Sequence, residues 1–395
     1  MYVIVKDWSR RNAYGFFFYL FVQIIICLLY STIICTFAPK FEKMRDNSVT
    51  IAKGIAIILM VMGHAGCPTI INEYLHMLRM PLFFFISGYC FKIAYLNDCN
   101  TFMKKRIKGI YQPYIKWTLF FLILHNVFFH LNIYNTEFGL NGQPPTPYTI
   151  HDIPKRLYHI FIGMNGNEPL TGPYWFLKSL FWGSIIFYIT RKLCNNILIG
   201  ILLLLFITFV FSYFNFSIPI LVIKAKEFLA AVFISCGHLY KVKKIDIKTS
   251  FPWIAGYAII VGIGAYFIPT SMLKFNYMNV IPYTICALIG TLMIFGISKN
   301  ILKMGDNWFV NMLIYTGNNT FNILTWHLLS FKIVSLFIVV IYGMRIQHLA
   351  ETYVIHDYAK MGWWIAYTLI GNLIPLLWLY YYTKIKKSLV TNKPS

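Results

Sequence analysis

The stretch KGIAIILMVMGH carries an ionisable side chain at each end, Lys53 and His64, with apolar residues between them. Eleven residues of helix turn through about 1100° and rise about 16 Å, so both side chains lie on one helix face. Histidine exchanges protons near neutral pH, which makes His64 a candidate general base or nucleophile and Lys53 its catalytic companion. Structural roles stay open: Lys53 extending to lipid headgroups, and His64 bonding another helix.

A second histidine lies in the late stretch NTFNILTWHLLSFK, where His327 follows Asn322 and Thr325 in an apolar run. Ionisable side chains within apolar helices usually face the interior of a bundle and serve a function. His327 is therefore a second catalytic candidate, and a hydrogen-bonded core histidine is the alternative.

The stretch LRMPLFFFISGYCF carries Arg79 near its start and the small pair Ser87 and Gly88 near its end. A charge near the end of an apolar helix needs a partner, so Arg79 is a candidate substrate-binding residue. Ser87 is a second candidate, as a hydrogen-bond donor to the reacting group. Close helix packing is the alternative for the small pair.

Two more stretches hold binding candidates. The run KKRIKGIYQPYIKW places Lys104, Lys105, Arg106 and Lys108 together, which favours binding of a phosphorylated cofactor or, alternatively, a topology signal. The stretch TGPYWFLKSLFW adds three substrate-binding candidates: Tyr174 and Trp175 for a sugar ring, and Lys178 for a developing oxyanion. An aromatic belt at the membrane interface is the alternative for this stretch.

The elements that position these residues are membrane helices, because 58% of the 395 residues are hydrophobic and only 12% are charged. Lys and Arg outnumber Asp and Glu by 35 to 13, an excess that fits cytoplasmic loops and anionic lipid rather than nucleic acid. The eight cysteines are scattered without a CxxC pair, so neither a disulfide framework nor a zinc site is predicted. No metal-ligand spacing such as HExxH occurs, and no metal is expected.

Runs long enough to span a bilayer need about 20 apolar residues. The candidates are 14–37, 49–66, 77–96, 111–133, 173–190, 196–214, 219–240, 251–269, 280–298, 320–343 and 362–383. Basic residues concentrate in alternate loops, which predicts a cytoplasmic C-terminus and a long external loop at 134–172. The predicted organisation is an extra hydrophobic helix within 1–44, a membrane domain at 45–385 and a basic cytoplasmic tail at 386–395.

In their order and spacing, these stretches resemble the acyltransferase-3 family of integral membrane acyltransferases, most of all its fucose-4-O-acetylase-like and O-antigen O-acetylase-like branch. The resembling stretches are RDNSVTIAKGIAIILMVMGH, MPLFFFISGY, KKRIKGIYQPY, GPYWFLKSLF and NTFNILTWHLLSF. The resemblance implies a ten-helix core that moves acyl groups, usually from acetyl-CoA, to a glycan hydroxyl.

Residue by residue, the resemblance places a catalytic basic residue and histidine on Lys53 and His64. It places the late histidine on His327. This chain departs from the family pattern at two positions: Arg79 stands where relatives often have histidine, and Thr50 where they commonly have an acid. The second departure leaves His64 without an identified partner.

Taken together, the sequence predicts an all-α polytopic membrane helix bundle of about ten core transmembrane helices plus one extra N-terminal helix. The predicted function is O-acyl transfer from cytoplasmic acetyl-CoA to a cell-surface or lipid-linked glycan, in the inner membrane of a bacterium.

Three further classes of membrane protein compete with this interpretation. A transporter would also place His, Lys and Arg within helices, but should show a two-fold repeat, which we do not find. A glycan-polymer assembly protein should carry acids for a metal or a base in its large external loop, and the loop 134–172 holds few. A non-enzymatic membrane scaffold does not need Lys53 and His64 on one helix face.

Overall fold

The computed structural model describes residues 46–139, 142–166 and 168–391, with side chains up to Ile385. The predicted N-terminal helix within 1–44 lies outside the described residues, as do the last residues of the predicted tail. The predicted all-α class is confirmed for the described part of the chain, which contains no strand and includes an isolated bridge between Ile218 and Ile223.

Fifteen α-helices follow one another along the described chain. They are α1 (Asn47–His64), α2 (Thr69–His76), α3 (Arg79–Tyr89), α4 (Cys99–Arg106), α5 (Gln112–His130), α6 (Ile153–Phe161), α7 (Trp175–Leu193), α8 (Ile197–Tyr213), α9 (Ala225–Val242), α10 (Phe251–Phe267), α11 (Val280–Leu302), α12 (Trp308–Asn318), α13 (Thr320–Tyr342), α14 (His356–Tyr358) and α15 (Trp364–Thr391). A π-helical turn, Ile107–Tyr111, joins α4 to α5, and a second, Ala359–Trp363, leads into α15.

Four helical segments of the described chain are long and apolar enough to cross a membrane: Asn47–His64, Tyr277–Leu302, Thr320–Tyr342 and His356–Ile385. Two further helices, Ile197–Tyr213 and Phe251–Phe267, are also apolar but are shorter, with 17 residues each. The protein is therefore a helical membrane protein, and the count of ten core spans stays a prediction. Helices such as α7 and α9 do not reach that level of hydropathy because each carries three charged residues.

Hydroxyl side chains inside the bundle form hydrogen bonds within their own helices. Thr118, Thr208, Ser235 and Ser298 each donate a hydrogen bond to the carbonyl four residues earlier in the same helix. A polar group facing lipid or a dry core has no water to bond with. This internal pairing lets polar residues occupy helices that are surrounded by apolar neighbours.

Glycine allows two helix pairs to approach closely. A Cβ on Gly88 of α3 would overlap the carbonyl oxygen of Ile234, and one on Gly237 of α9 would overlap that of Phe85. Likewise, a Cβ on Gly54 of α1 would overlap the carbonyl oxygen of Leu313 in α12. Small residues at such crossings bring backbones together in membrane bundles, and here they fix α3 and α1 against their neighbours.

The structure differs from the predicted elements in two places near the site. The predicted span 77–96 is only the short helix α3, which ends at Tyr89 and is followed by a 3-10 turn. Helix α12 was not predicted at all, because its 11 residues are too short to register as a span. It lies directly before α13 and packs on α1, so it supports both helices that carry candidate histidines.

The bundle has two distinct ends. At the basic end, the Tyr89 hydroxyl at the end of α3 donates to Asp46, 2.9 Å away, at the start of α1. The basic run 104–108 lies at this end, since Arg106 contacts Ser87. At the opposite end, which we call the loop end, α1 ends at His64 and α3 begins. The connecting residues 131–139, 142–166, 168–174 and 343–358 also lie at this end.

Candidate active site

His64 and His327 form a hydrogen-bonded pair in the interior of the bundle. His64 is the last residue of α1, and His327 lies two turns into α13. The Nδ1 of His64 is 3.1 Å from the Nε2 of His327, and the two rings stack with centroids 5.3 Å apart. His327 is fully buried, whereas His64 is partly exposed and lines a cavity. We call this pair the histidine dyad.

Backbone contacts of His327 determine which nitrogens carry hydrogen. Its Nδ1 lies 3.0 Å from the carbonyl oxygen of Ile323 and 3.1 Å from that of Leu324, and a carbonyl only accepts, so Nδ1 is the donor. In a neutral ring the other nitrogen then accepts, so the Nδ1–H of His64 donates to the Nε2 of His327. The Nε2 of His64 is left with its lone pair, as a general base or nucleophile requires.

The dyad supplies the partner of His64 that the sequence left unidentified. In the more familiar arrangement a carboxylate accepts from Nδ1 and orients the imidazole. Here the acceptor is a second imidazole, whose own orientation is set by the backbone of α13. A neutral acceptor suits a buried position, because a buried carboxylate without a counter-charge is costly.

Tyr353 packs on the dyad and was not predicted from the sequence. Its ring centroid lies 5.5 Å from that of His64, and a Cβ on Gly172 would overlap its hydroxyl. Burial raises the pKa of Tyr353 to about 12, so it stays a neutral hydrogen-bond donor at physiological pH. No local pattern marks this residue, since it lies in a connecting segment rather than in a helix.

Buried contacts hold the segment that carries Tyr353. Lys332 of α13 donates from Nζ to the carbonyl oxygens of Leu349, 2.9 Å away, and Glu351, 2.7 Å away. The Tyr367 hydroxyl accepts from the backbone N–H of Ile355, 3.2 Å away. We call residues 346–355 the Tyr353 segment. Its attachment to α13, the helix of His327, ties both neighbours of His64 to the same element.

A small cavity of about 60 Å³ opens beside His64 at the loop end. Its polar lining comes from His64, His76, Arg79, Ser271 and Tyr283, together with the ring of Trp175. Arg79 is buried, at 7% exposure, and its Nη1 has no hydrogen-bond partner among the described residues. We call this space the His64 cavity.

A larger cavity of about 250 Å³ lies on the basic side of the His64 cavity. Its lining includes Lys53, Ser87, Cys90 and Gly109. We call it the Lys53 cavity. Met60, Met80 and Leu324 line both spaces, so the two cavities meet between Lys53 and His64.

The basic run contributes unequally to the Lys53 cavity. Arg106 donates from Nη1 to the Ser87 Oγ, 3.2 Å away, which places its guanidinium at a lining residue. Lys105 donates to the Tyr95 hydroxyl, 2.6 Å away. Lys104 and Lys108 are exposed at the basic end.

The three binding candidates from the stretch TGPYWFLKSLFW occupy different environments in the structure. Trp175 lines the His64 cavity. Tyr174, the residue before α7, is buried beside it. Its hydroxyl lies 2.9 Å from the Thr325 Oγ1, so it joins the start of α7 to α13 instead of lining either cavity. Lys178 is also buried and lines neither cavity. Within the described ranges, no group of three or more His, Cys, Asp or Glu residues is arranged to hold a metal ion.

Comparison with known proteins gives one match. The family model for the acyltransferase-3 domain, described as an acyltransferase domain, matches residues 46–387. Neither a curated protein nor a solved structure matches the chain. The matched range contains the histidine dyad, both cavities and the Tyr353 segment.

Proposed function

This chain belongs to the acyltransferase-3 family, and from that premise we propose that it moves an acetyl group from acetyl-CoA to a hydroxyl of a cell-surface or lipid-linked glycan. It does so as a multi-pass protein of a bacterial inner membrane, with the basic end and the C-terminus in the cytoplasm. The observation that carries the proposal is the histidine dyad, whose His64 lines the smaller of two adjoining cavities, one towards each end of the bundle.

The donor enters from the basic end. The phosphates of acetyl-CoA lie against Arg106 and the exposed Lys104, Lys105 and Lys108, because guanidinium and ammonium groups are the usual phosphate partners. The pantetheine arm occupies the Lys53 cavity, whose 250 Å³ and largely apolar lining suit a thin, extended chain. Lys53 and His64 are about 16 Å apart along α1, a distance that such an arm spans.

The acceptor enters from the loop end and meets the thioester at His64. The Nε2 of His64 takes the proton of the acceptor hydroxyl while that oxygen attacks the thioester carbonyl. The carbon–sulfur bond then breaks, the acetyl group stays on the acceptor oxygen, and the proton on His64 passes to the departing thiolate. His327 keeps the Nδ1–H of His64 in place and shares the positive charge that develops on the ring.

Direct transfer is favoured over a carrier role for His64. The two cavities adjoin at Met60, one helical turn before His64 on α1, so donor and acceptor are presented next to each other and one step suffices. A carrier mechanism predicts an acetyl-enzyme when acetyl-CoA is added without an acceptor, and direct transfer predicts none. Rapid-quench mass spectrometry of the intact protein distinguishes the two.

The test of the function is His64→Ala in inverted membrane vesicles that carry the native acceptor. Transfer of radiolabelled acetate from acetyl-CoA to glycan is expected to fall by about 10²–10⁴-fold, the usual contribution of a general base. His130→Ala is the matched control, because it changes an exposed histidine at the end of α5. Normal acetylation by His64→Ala at equal expression overturns the assignment.

A further inference from the structure

The His64 cavity contains a buried cation with an unsatisfied donor. Arg79 begins α3 at 7% exposure, and its Nη1 has no hydrogen-bond partner in the described part of the chain. A buried guanidinium left unpaired is costly, so such groups normally meet a carboxylate or phosphate. Among the residues that the structure describes, the cavity lining includes no acid. The nearest acid in sequence, Glu73, is 3.3 Å from His76 and forms a pair with it.

Gly63 is the feature that places this cation beside the dyad. A Cβ at Gly63 would overlap the Nη1 of Arg79, so the guanidinium occupies the space that any other residue would fill. Gly63 directly precedes His64 in α1. The unpaired donor therefore lies against the backbone next to the residue that takes the acceptor proton.

We propose that Arg79 and the His64 cavity form a subsite for a carboxylate on the acceptor, so that the protein acetylates a sugar acid rather than a neutral sugar. This inference rests on the proposed function and names its substrate class. The cavity volume of about 60 Å³ fits a carboxylate, since one water needs about 10–15 Å³, but not a whole pyranose. The sugar ring stays at the mouth, where the indole of Trp175 offers an aromatic face.

The location of Arg79 indicates that its guanidinium binds a group of the acceptor rather than the thioester oxyanion. The donor arrives through the Lys53 cavity, and Arg79 lines only the space on the far side of Met60 and Leu324. An oxyanion exists only during the reaction, whereas a carboxylate neutralises Arg79 throughout the bound state. The planar fork of a guanidinium also matches the two oxygens of a carboxylate.

Binding of simple probes tests the inference independently of acyl transfer. In saturation-transfer NMR with the purified full chain in nanodiscs, methyl glucuronide is expected to bind at least about tenfold more tightly than methyl glucoside. Arg79→Gln should remove that preference, and Arg345→Gln, at an exposed arginine that pairs with Glu137, should keep it. Equal binding of the two probes, tighter binding of glucose 6-phosphate than of the glucuronide, or an unchanged preference in Arg79→Gln overturns the proposal.

A second variant guards against misfolding of Arg79→Gln. Gly63→Ala keeps the arginine but displaces its guanidinium, so the glucuronide preference should again be lost. The matched control is Gly256→Ala in α10, where an added Cβ meets nothing within 4 Å. His64→Ala separates the two proposals. If it still transfers acetyl groups, the assignment of His64 as the general base fails, whereas an unchanged glucuronide preference in Gly63→Ala and Arg79→Gln defeats only the carboxylate subsite.

Discussion

At the scale of single residues, the dyad has an imidazole, that of His327, in the place where a carboxylate more commonly accepts from the Nδ1–H of a histidine. The two imidazoles therefore have different roles. His327 donates from Nδ1 to the backbone of its own helix and accepts from His64 at Nε2. It lines neither the His64 cavity nor the Lys53 cavity, so it acts through His64 as a positioning residue. Its role depends on one acceptor atom at one place, and a substitution that keeps such an atom should keep part of the activity.

The variants His327→Leu and His327→Gln test this role. Leucine removes the acceptor, and we expect kcat to fall by about 10²-fold with the KM for acetyl-CoA unchanged, because donor binding lies elsewhere. Glutamine restores an acceptor oxygen near the position of Nε2, so its kcat should exceed that of the leucine variant by about tenfold. Steady-state kinetics in nanodiscs measure both values. Equal kcat for the two variants would show that His327 only fills space.

At the scale of elements, the Tyr353 segment covers the dyad and depends on one buried lysine. Lys332 is 7% exposed and satisfies the carbonyl oxygens of Leu349 and Glu351. Tyr353 follows within two residues of the second carbonyl and packs on His64. The segment is therefore held by α13, the same helix that positions His327. One helix thus aligns the segment that covers His64 and the histidine that hydrogen-bonds to it.

Lys332→Met should loosen this wall without disturbing the bundle. Methionine keeps an unbranched side chain but leaves two carbonyls without a donor, each costing about 1–3 kcal/mol where buried. Hydrogen–deuterium exchange across residues 346–355 is expected to rise, and transfer to fall, while exchange in α1 stays as in the wild type. Lys360→Met, at a lysine whose side chain is 77% exposed, is the control. Unchanged exchange in the segment would refute the anchoring role.

Sequence reasoning located most helices near the site and both histidines, because long apolar runs and rare ionisable residues are visible locally. It did not predict α12, whose 11 residues are too few to register as a span and pack on Gly54 and its neighbours on α1. Nor did it predict the pairing of His64 with His327, which are 263 positions apart. Tyr353 was missed for the same reason, since its importance comes entirely from the fold that brings a connecting segment onto His64.

At the scale of the whole molecule, the proposed function assigns the donor to one end of the bundle and the acceptor to the other. The basic end holds the exposed lysines 104, 105 and 108 and the mouth of the Lys53 cavity, and the loop end holds Arg79 and the Tyr353 segment. Of the described residues, only Met60, Met80 and Leu324 line both cavities. These three side chains lie between the two spaces, so in the proposed mechanism the acetyl group passes from donor to acceptor beside them.

Two cysteines at the basic end allow the donor side to be tested in the native chain. Cys90 and Cys99 are both exposed, but of the two only Cys90 lines the Lys53 cavity. A membrane-impermeant maleimide should label both from the cytoplasmic face, in inverted vesicles, and neither in right-side-out vesicles. Acetyl-CoA should slow labelling of Cys90 several-fold and leave Cys99 unchanged, because only the first shares its space with the pantetheine arm. Site-resolved mass spectrometry measures each rate. Labelling from the external face would reverse the proposed orientation, and equal protection of both cysteines would place the donor outside the Lys53 cavity.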